Sequence, residues 1–257
     1  MKKGYVILLT ILCIMIGFSL GYFFRDVNEN DVEVIQQSSS MEVYEEFASN
    51  TILEIRVDTT NVNLQVIPST NRNIRIVYRP STEPSNFNYY IENKILYMHV
   101  DEVEKTSSIV PSNREMIYLY LPNNTDVTLR FASQSGFLDI SSTNVRNVIA
   151  STTSGIVSMS NVNVVLNANI ETITGKVLLK EVSFSDVSVK TSSGLISCIL
   201  KENVYYQHLI AKKGAIKVND EDMGTLYTNE LESVKKMYME SLTGEIRVKM
   251  EETVYEE

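Results

Sequence analysis

The chain has 257 residues, a formal net charge of −9, fourteen tyrosines, no tryptophan and two cysteines. Lys2, Lys3 and Arg25 are the charged residues of the first 25, so subtracting these three cations leaves −12 on residues 26–257. Bulk charge of that sign argues against nucleic acid and anionic lipid as partners of the main body.

Met-Lys-Lys is followed by an apolar run from Gly4 to Phe24, closed by Arg25. The run is 21 residues long, enough to cross a bilayer as a helix. Leu20-Gly21-Tyr22 is a poor cleavage site, and Ile11 and Leu12 before Cys13 do not suit lipidation. Residues 1–25 therefore read as an uncleaved transmembrane signal anchor, with the bilayer as partner through residues 4–24. The lysines favour a cytoplasmic N-terminus and an extracytoplasmic C-terminal domain, a single-pass protein of the cell membrane. Residues 26–49 read as a polar linker, most flexible at Gln36-Gln37-Ser38-Ser39-Ser40.

From residue 50 the pattern changes to strand-like alternation. Ile55 and Val57 alternate with polar residues, as do Val62, Leu64 and Val66, then Ile74, Ile76 and Tyr78. Leu96, Met98 and Val100 follow, then Ile117, Leu119 and Leu121 with Tyr118 and Tyr120 between them. Segments 79–90 and 101–114 read as loops.

Beyond Leu129 one phrase recurs. Ser135-Gly136-Phe-Leu-Asp-Ile is followed by Ser154-Gly155, Thr174-Gly175, Ser193-Gly194, Lys213-Gly214 and Thr243-Gly244, each opening a similar phrase. The glycines are spaced by 19, 20, 19, 20 and 30 residues, the mark of a repeat architecture. Two residues after them stand Leu138, Val157, Val177, Ile196, Ile216 and Ile246; four after stand Ile140, Met159, Leu179, Cys198, Val218 and Val248. This period of two describes a strand. Five residues before each glycine another apolar residue stands, and three before a small one, mostly serine or threonine. The unit is strand, glycine corner, strand. Glycine is expected there because it accepts positive φ, and the small hydroxyls are expected to bond backbone groups. The predicted fold is all-β: a single β-solenoid of roughly 20-residue coils over residues 50–250, with an acidic tail at 251–257. Val177, Ile196 and Ile216 are expected in one inward row. The last step of 30 implies an insertion, Asn219 to Lys236, protruding from the wall as a loop or short helix.

A strand ending in Leu121-Pro122, a short strand, and then repeated Ser/Thr-Gly-x-aliphatic-x-aliphatic phrases resemble the bacterial putative-adhesin β-solenoid family. The resemblance spans about residues 50–250. Many members have one N-terminal membrane segment, and some neighbour the genes of envelope-stress responses. It implies a solenoid fold and offers no catalytic residues to carry over.

The residues themselves point away from catalysis. His99 and His208 lack Cys, Asp or Glu at metal-ligand spacing, and no cofactor motif occurs. No Gly-x-Ser-x-Gly elbow is present, and the outward residues after the corners form no carboxylate pair. Asn219-Asp-Glu-Asp222 with Gly224 reads as a solvated acidic loop. Cys13 and Cys198 belong to the anchor and the core and cannot pair. Tyr118, Tyr120, Tyr205 and Tyr206 are the candidate aromatics for binding a sugar or protein surface. The expected function is a noncatalytic, adhesin-like binding module of the bacterial cell envelope, touching wall polymer or envelope proteins. The alternatives are an accessory part of envelope-stress sensing and, third, a polysaccharide-active enzyme.

Overall fold

The computed structural model describes residues 43–79, 87–100, 115–123, 125–201 and 204–250. All of them belong to the unit spanning Ile35–Glu257. The apolar run at 4–24 and the acidic tail lie outside the described residues; within them, no helix is long and apolar enough to cross a membrane.

The described chain is a β-solenoid with two large sheets, of eleven and ten strands. In the Gly155 coil, Asn147–Thr152 joins the ten-stranded sheet, Gly155 turns the corner, and Ile156–Ser160 joins the eleven-stranded sheet. A second corner at Asn161 leads to a short third side, Asn163–Val164. Strands of successive coils pair in parallel, like residue over like: Val157 lies beside Leu138 on one side and Val177 on the other. All twelve residues two and four positions after the corner glycines are buried. So are Phe131, Ala150, Ile170, Val189, Leu209 and Met239 on the opposite sheet. Bulky Phe131 stacks beside small Ala150, which conserves volume along that row.

The coils do not stack in chain order. The strand Ile196–Leu200 pairs with Ile246–Met250, and that strand pairs with Ile216–Val218. The Gly244 coil therefore sits between the Gly194 and Gly214 coils, and Ile196 has Val177 and Ile246 as row neighbours. The expected row through Ile216 is corrected accordingly. The insertion explains this order. Glu221–Asp222 pairs antiparallel with Ile216–Val218, and Leu226–Thr228 pairs antiparallel with Tyr206–Ala211. Rather than projecting from the wall as a loop or helix, the insertion folds over the end of the stack, and the chain then returns inside it.

The other end repeats the device. Glu54–Thr59 and Asn63–Ser69 form the first coil in sequence but the second in space. They lie between the coil at Gly136 and the one made by Ile95–Val100 and Met116–Pro122. Asn73–Arg79 and Phe87–Glu92 cover that outer coil as antiparallel strands. Residues 87–90 are thus strand where a loop was expected, while 80–86 and 101–114 lie outside the described residues. Val43–Ala48 pairs antiparallel with Asn73–Arg79, which brings residues first given to the linker into the sheet.

The alternation has a direct test. Ile196 is fully buried, whereas its neighbour Ser197 faces outward beside Arg247. Ile196→Asp should lower stability by several kcal/mol, since an unpaired carboxylate is buried among aliphatic groups. Ser197→Asp should change it by less than ~0.5 kcal/mol. Denaturant midpoints of the two variants check this; similar losses would contradict the register.

Candidate functional site

The corner comes first, because it shapes the surface beside it. None of the six repeat glycines Gly136, Gly155, Gly175, Gly194, Gly214 and Gly244 has positive φ, so the expected backbone reason is corrected. The reason is space. A Cβ on Gly155 or Gly175 would stand 2.0 Å from the carbonyl oxygen of the preceding corner glycine, and one on Gly194 1.7 Å from that of Gly175. The positive-φ residues of the repeat lie at the second corner, as Ser142, Asn161 and Glu181.

The hydroxyl three before five of the six glycines closes the turn, Ala211 before Gly214 being the exception. The backbone N–H of Gly155 donates to Thr152 Oγ1 at 2.8 Å, that of Gly175 to Thr172 Oγ1 at 2.6 Å and that of Gly194 to Thr191 Oγ1 at 2.8 Å. Gly136 and Gly244 use Ser133 and Ser241 in the same way. A second set of hydroxyls ties neighbouring coils: Thr174 Oγ1 donates to Thr153 O at 3.2 Å, and Thr243 Oγ1 to Ser192 O at 3.0 Å.

This bend leaves a groove of about 750 Å³ running across the coils. Its floor is the hydroxyl row Thr59, Ser133, Thr152, Thr172 and Thr191. One wall is the last outward row of the ten-stranded sheet, in the order His99, Asp58, Ala132, Ser151, Glu171, Lys190, Glu240. The other is the corner ridge Thr60, Gln134, Thr153, Ile173, Ser192 and Leu242.

Charge divides the groove. Toward the Gly214 end, Lys212 Nζ lies 2.6 Å from Glu240 Oε1. That hydrogen bond, with the fields of Lys212 and Lys190, holds the Glu240 carboxyl below the usual carboxylate range against the opposing effect of desolvation. Among the described residues, Asp58 and Glu171 have no ion-pair or hydrogen-bond partner, and between them the wall is Ala132 and Ser151. The outward positions three residues after each glycine do not include this row. It stands four residues before, at Ala132, Ser151, Glu171, Lys190 and Glu240, and was legible there once the corner was known to be concave.

The four candidate tyrosines do not form one site. Tyr118 and Tyr120 are half-buried on the outer face of the eleven-stranded sheet, under Arg79 and Arg75, whose guanidinium carbons lie 4.8 and 3.9 Å from the ring centroids. Tyr206 stands on the other sheet, edge-on to Tyr238. Tyr205 is 4% exposed and packs on Phe184 with ring centroids 4.6 Å apart, so it is core rather than surface. It directly precedes the strand Tyr206–Ala211, in which the residues next to it alternate outward and inward. Burial pushes the Cys198 thiol up to about 12. Among the described residues, no three His, Cys, Asp or Glu side chains are placed to share a metal ion.

A smaller groove, of about 410 Å³, follows the second corner past Asn144, Asn161 and Asn163. Glu181 in it is bridged by Lys201 at 3.1 Å and Lys180 at 3.6 Å.

A family model described as Toastrack DUF4097 matches residues 52–255. Among solved structures, a putative cell adhesion protein from Clostridium sporogenes is 15% identical, with 84% of this chain and 100% of that one covered and a TM-score of 0.49. A putative adhesin from Bacteroides fragilis is 14% identical over the same shares, with a TM-score of 0.44. No curated protein matches the chain.

The corner hydrogen bond sets an expectation. Thr191→Val keeps the shape of the buried side chain but leaves the Gly194 N–H without an acceptor. The cost should be about 1–3 kcal/mol, and Thr191→Ser should recover most of it. Urea midpoints of the two variants are the measurement.

Proposed function

From the groove of this chain, which belongs to the Toastrack DUF4097 family, we propose a noncatalytic module that holds an extended polymer of the bacterial cell envelope. The carrying observation is the groove's form. It is long and shallow, and its floor repeats a hydroxyl side chain, Thr59, Ser133, Thr152, Thr172 and Thr191, one step per strand spacing of about 4.8 Å. A small molecule is gripped by a concave, mostly apolar pocket. This surface instead is an open channel across the coils with a hydroxyl row along its floor, which suits an extended ligand that itself repeats.

The same surface supports the noncatalytic reading. General acid–base chemistry needs a donor and an acceptor converging on one point. In the groove Glu240 is tied to Lys212, and Asp58 and Glu171 stand three coils apart.

The module is held at the membrane by residues 4–24, with residues 26–257 outside. The support is the length of the apolar run and the placement of Lys2 and Lys3 before it. Protease added to intact protoplasts should then remove the C-terminal domain; full protection would refute the outside placement.

Binding is tested by co-sedimenting the full-length chain, in detergent micelles, with purified wall polymer. Ser151 is exposed on the groove wall, so Ser151→Trp should fill the groove, cut the sedimented fraction at least fivefold and leave the melting temperature within a few degrees. Undiminished sedimentation of that variant would place the polymer elsewhere.

A further inference from the structure

We propose that the groove selects an amine-bearing glycan, with Asp58 and Glu171 as its two cation-binding positions. This rests on the polymer reading above and names the chemistry of the chain held.

The register fixes where the two carboxylates stand. Asp58 pairs with Ala132, Ala132 with Ser151, and Ser151 with Glu171. Three strand spacings separate the two acids, roughly 14 Å. Between them the wall is a methyl and a hydroxymethyl group, so a ligand can lie flat from one acid to the other. The ridge opposite offers the Thr60 and Thr153 hydroxyls and the Gln134 amide, which match the hydroxyl groups of a sugar chain.

The charge pattern decides which sugar chain. Every other acid of the groove's walls is already answered: Glu240 is paired with Lys212 and lies in the field of Lys190. Among the described residues Asp58 and Glu171 have no partner, and a protonated amine is what an ionised carboxylate binds most strongly in a polar, half-open site. An anionic polymer would be repelled at both positions, and a neutral one would offer them hydroxyl donors without a compensating charge. Lys190 beside Glu171 marks one end of the acidic stretch and discourages a cationic chain from running further.

An extended peptide fits less well. Peptides that bind solenoids and sheets as extended strands pair with an open strand edge. Along the groove every strand between Ile95–Val100 and Lys236–Ser241 is paired on both sides. The groove offers side chains and no free backbone ladder.

The test compares two hexasaccharides that differ only at nitrogen. Full-length protein in detergent micelles is titrated calorimetrically with a glucosamine hexamer, at a pH where its amines are protonated, and with the N-acetylglucosamine hexamer. The amine hexamer should bind about tenfold more tightly, an advantage that shrinks with added salt. Asp58→Asn with Glu171→Gln should abolish the advantage. Glu230→Gln with Glu232→Gln, the same charge change on exposed residues of the end cover, should keep it. Equal affinity of wild type for the two hexamers overturns the assignment of charge while leaving a polymer groove. An amine advantage that survives the Asp58 and Glu171 changes overturns the assignment of residues. Loss of binding to both hexamers and to wall polymer overturns the polymer reading itself.

Discussion

The structure depends on one distance, that between the backbones of stacked corners. At each repeat glycine the carbonyl of the neighbouring coil occupies the place where a Cβ would be. The order of these contacts is Val62, Gly136, Gly155, Gly175, Gly194, Gly244, Gly214, which is the stacking order of the coils rather than the order of the chain. Any side chain there would push two coils apart along their whole length, because the strands on either side of the corner share the same spacing. The hydroxyl three residues earlier then has a defined task. It accepts the glycine N–H that the tight turn would otherwise leave buried and unpaired.

A stack of parallel strands has open ends, and open ends invite further strands. Both ends here are closed by the same means. The chain makes the outermost coil, reverses, and lays antiparallel strands over it. At the Gly214 end the covering strands are only two and three residues long, and Asp220 there is pinned to Lys249 at 2.7 Å. Covering strands this short offer little for another sheet to pair with.

The core was legible in the sequence because inward positions repeat with period two and every coil obeys the same rule. Val157, Val177 and Ile196 could be placed from spacing alone. The order of the terminal coils could not, since Ile216 and Ile246 are the same residue in equivalent positions and nothing local distinguishes which lies beside Ile196. The tyrosines misled for a related reason. Tyr205 and Tyr206 are neighbours, but one faces the core against Phe184 and the other faces out, and the strand that fixes their phase begins only at Tyr206. The groove was hidden because it arises from a bend between Thr152 and Thr153 and their counterparts, not from any cluster along the chain. Its wall row is spread over residues 58 to 240, with one member from each strand it crosses.

The interleaving of the first coil has a mechanical meaning. Residues 54–69 are wedged between two other coils, with parallel partners on both sides in each sheet. A pull on the N-terminal side first meets Val43–Ala48, an edge strand bonded on one side, which can unzip one bond pair at a time. The load then reaches the wedged coil, where four strand interfaces resist together. A module tethered from that side would thus yield a short, sacrificial length before bearing force on its body, much as a seam gives at its first stitch and holds at the second.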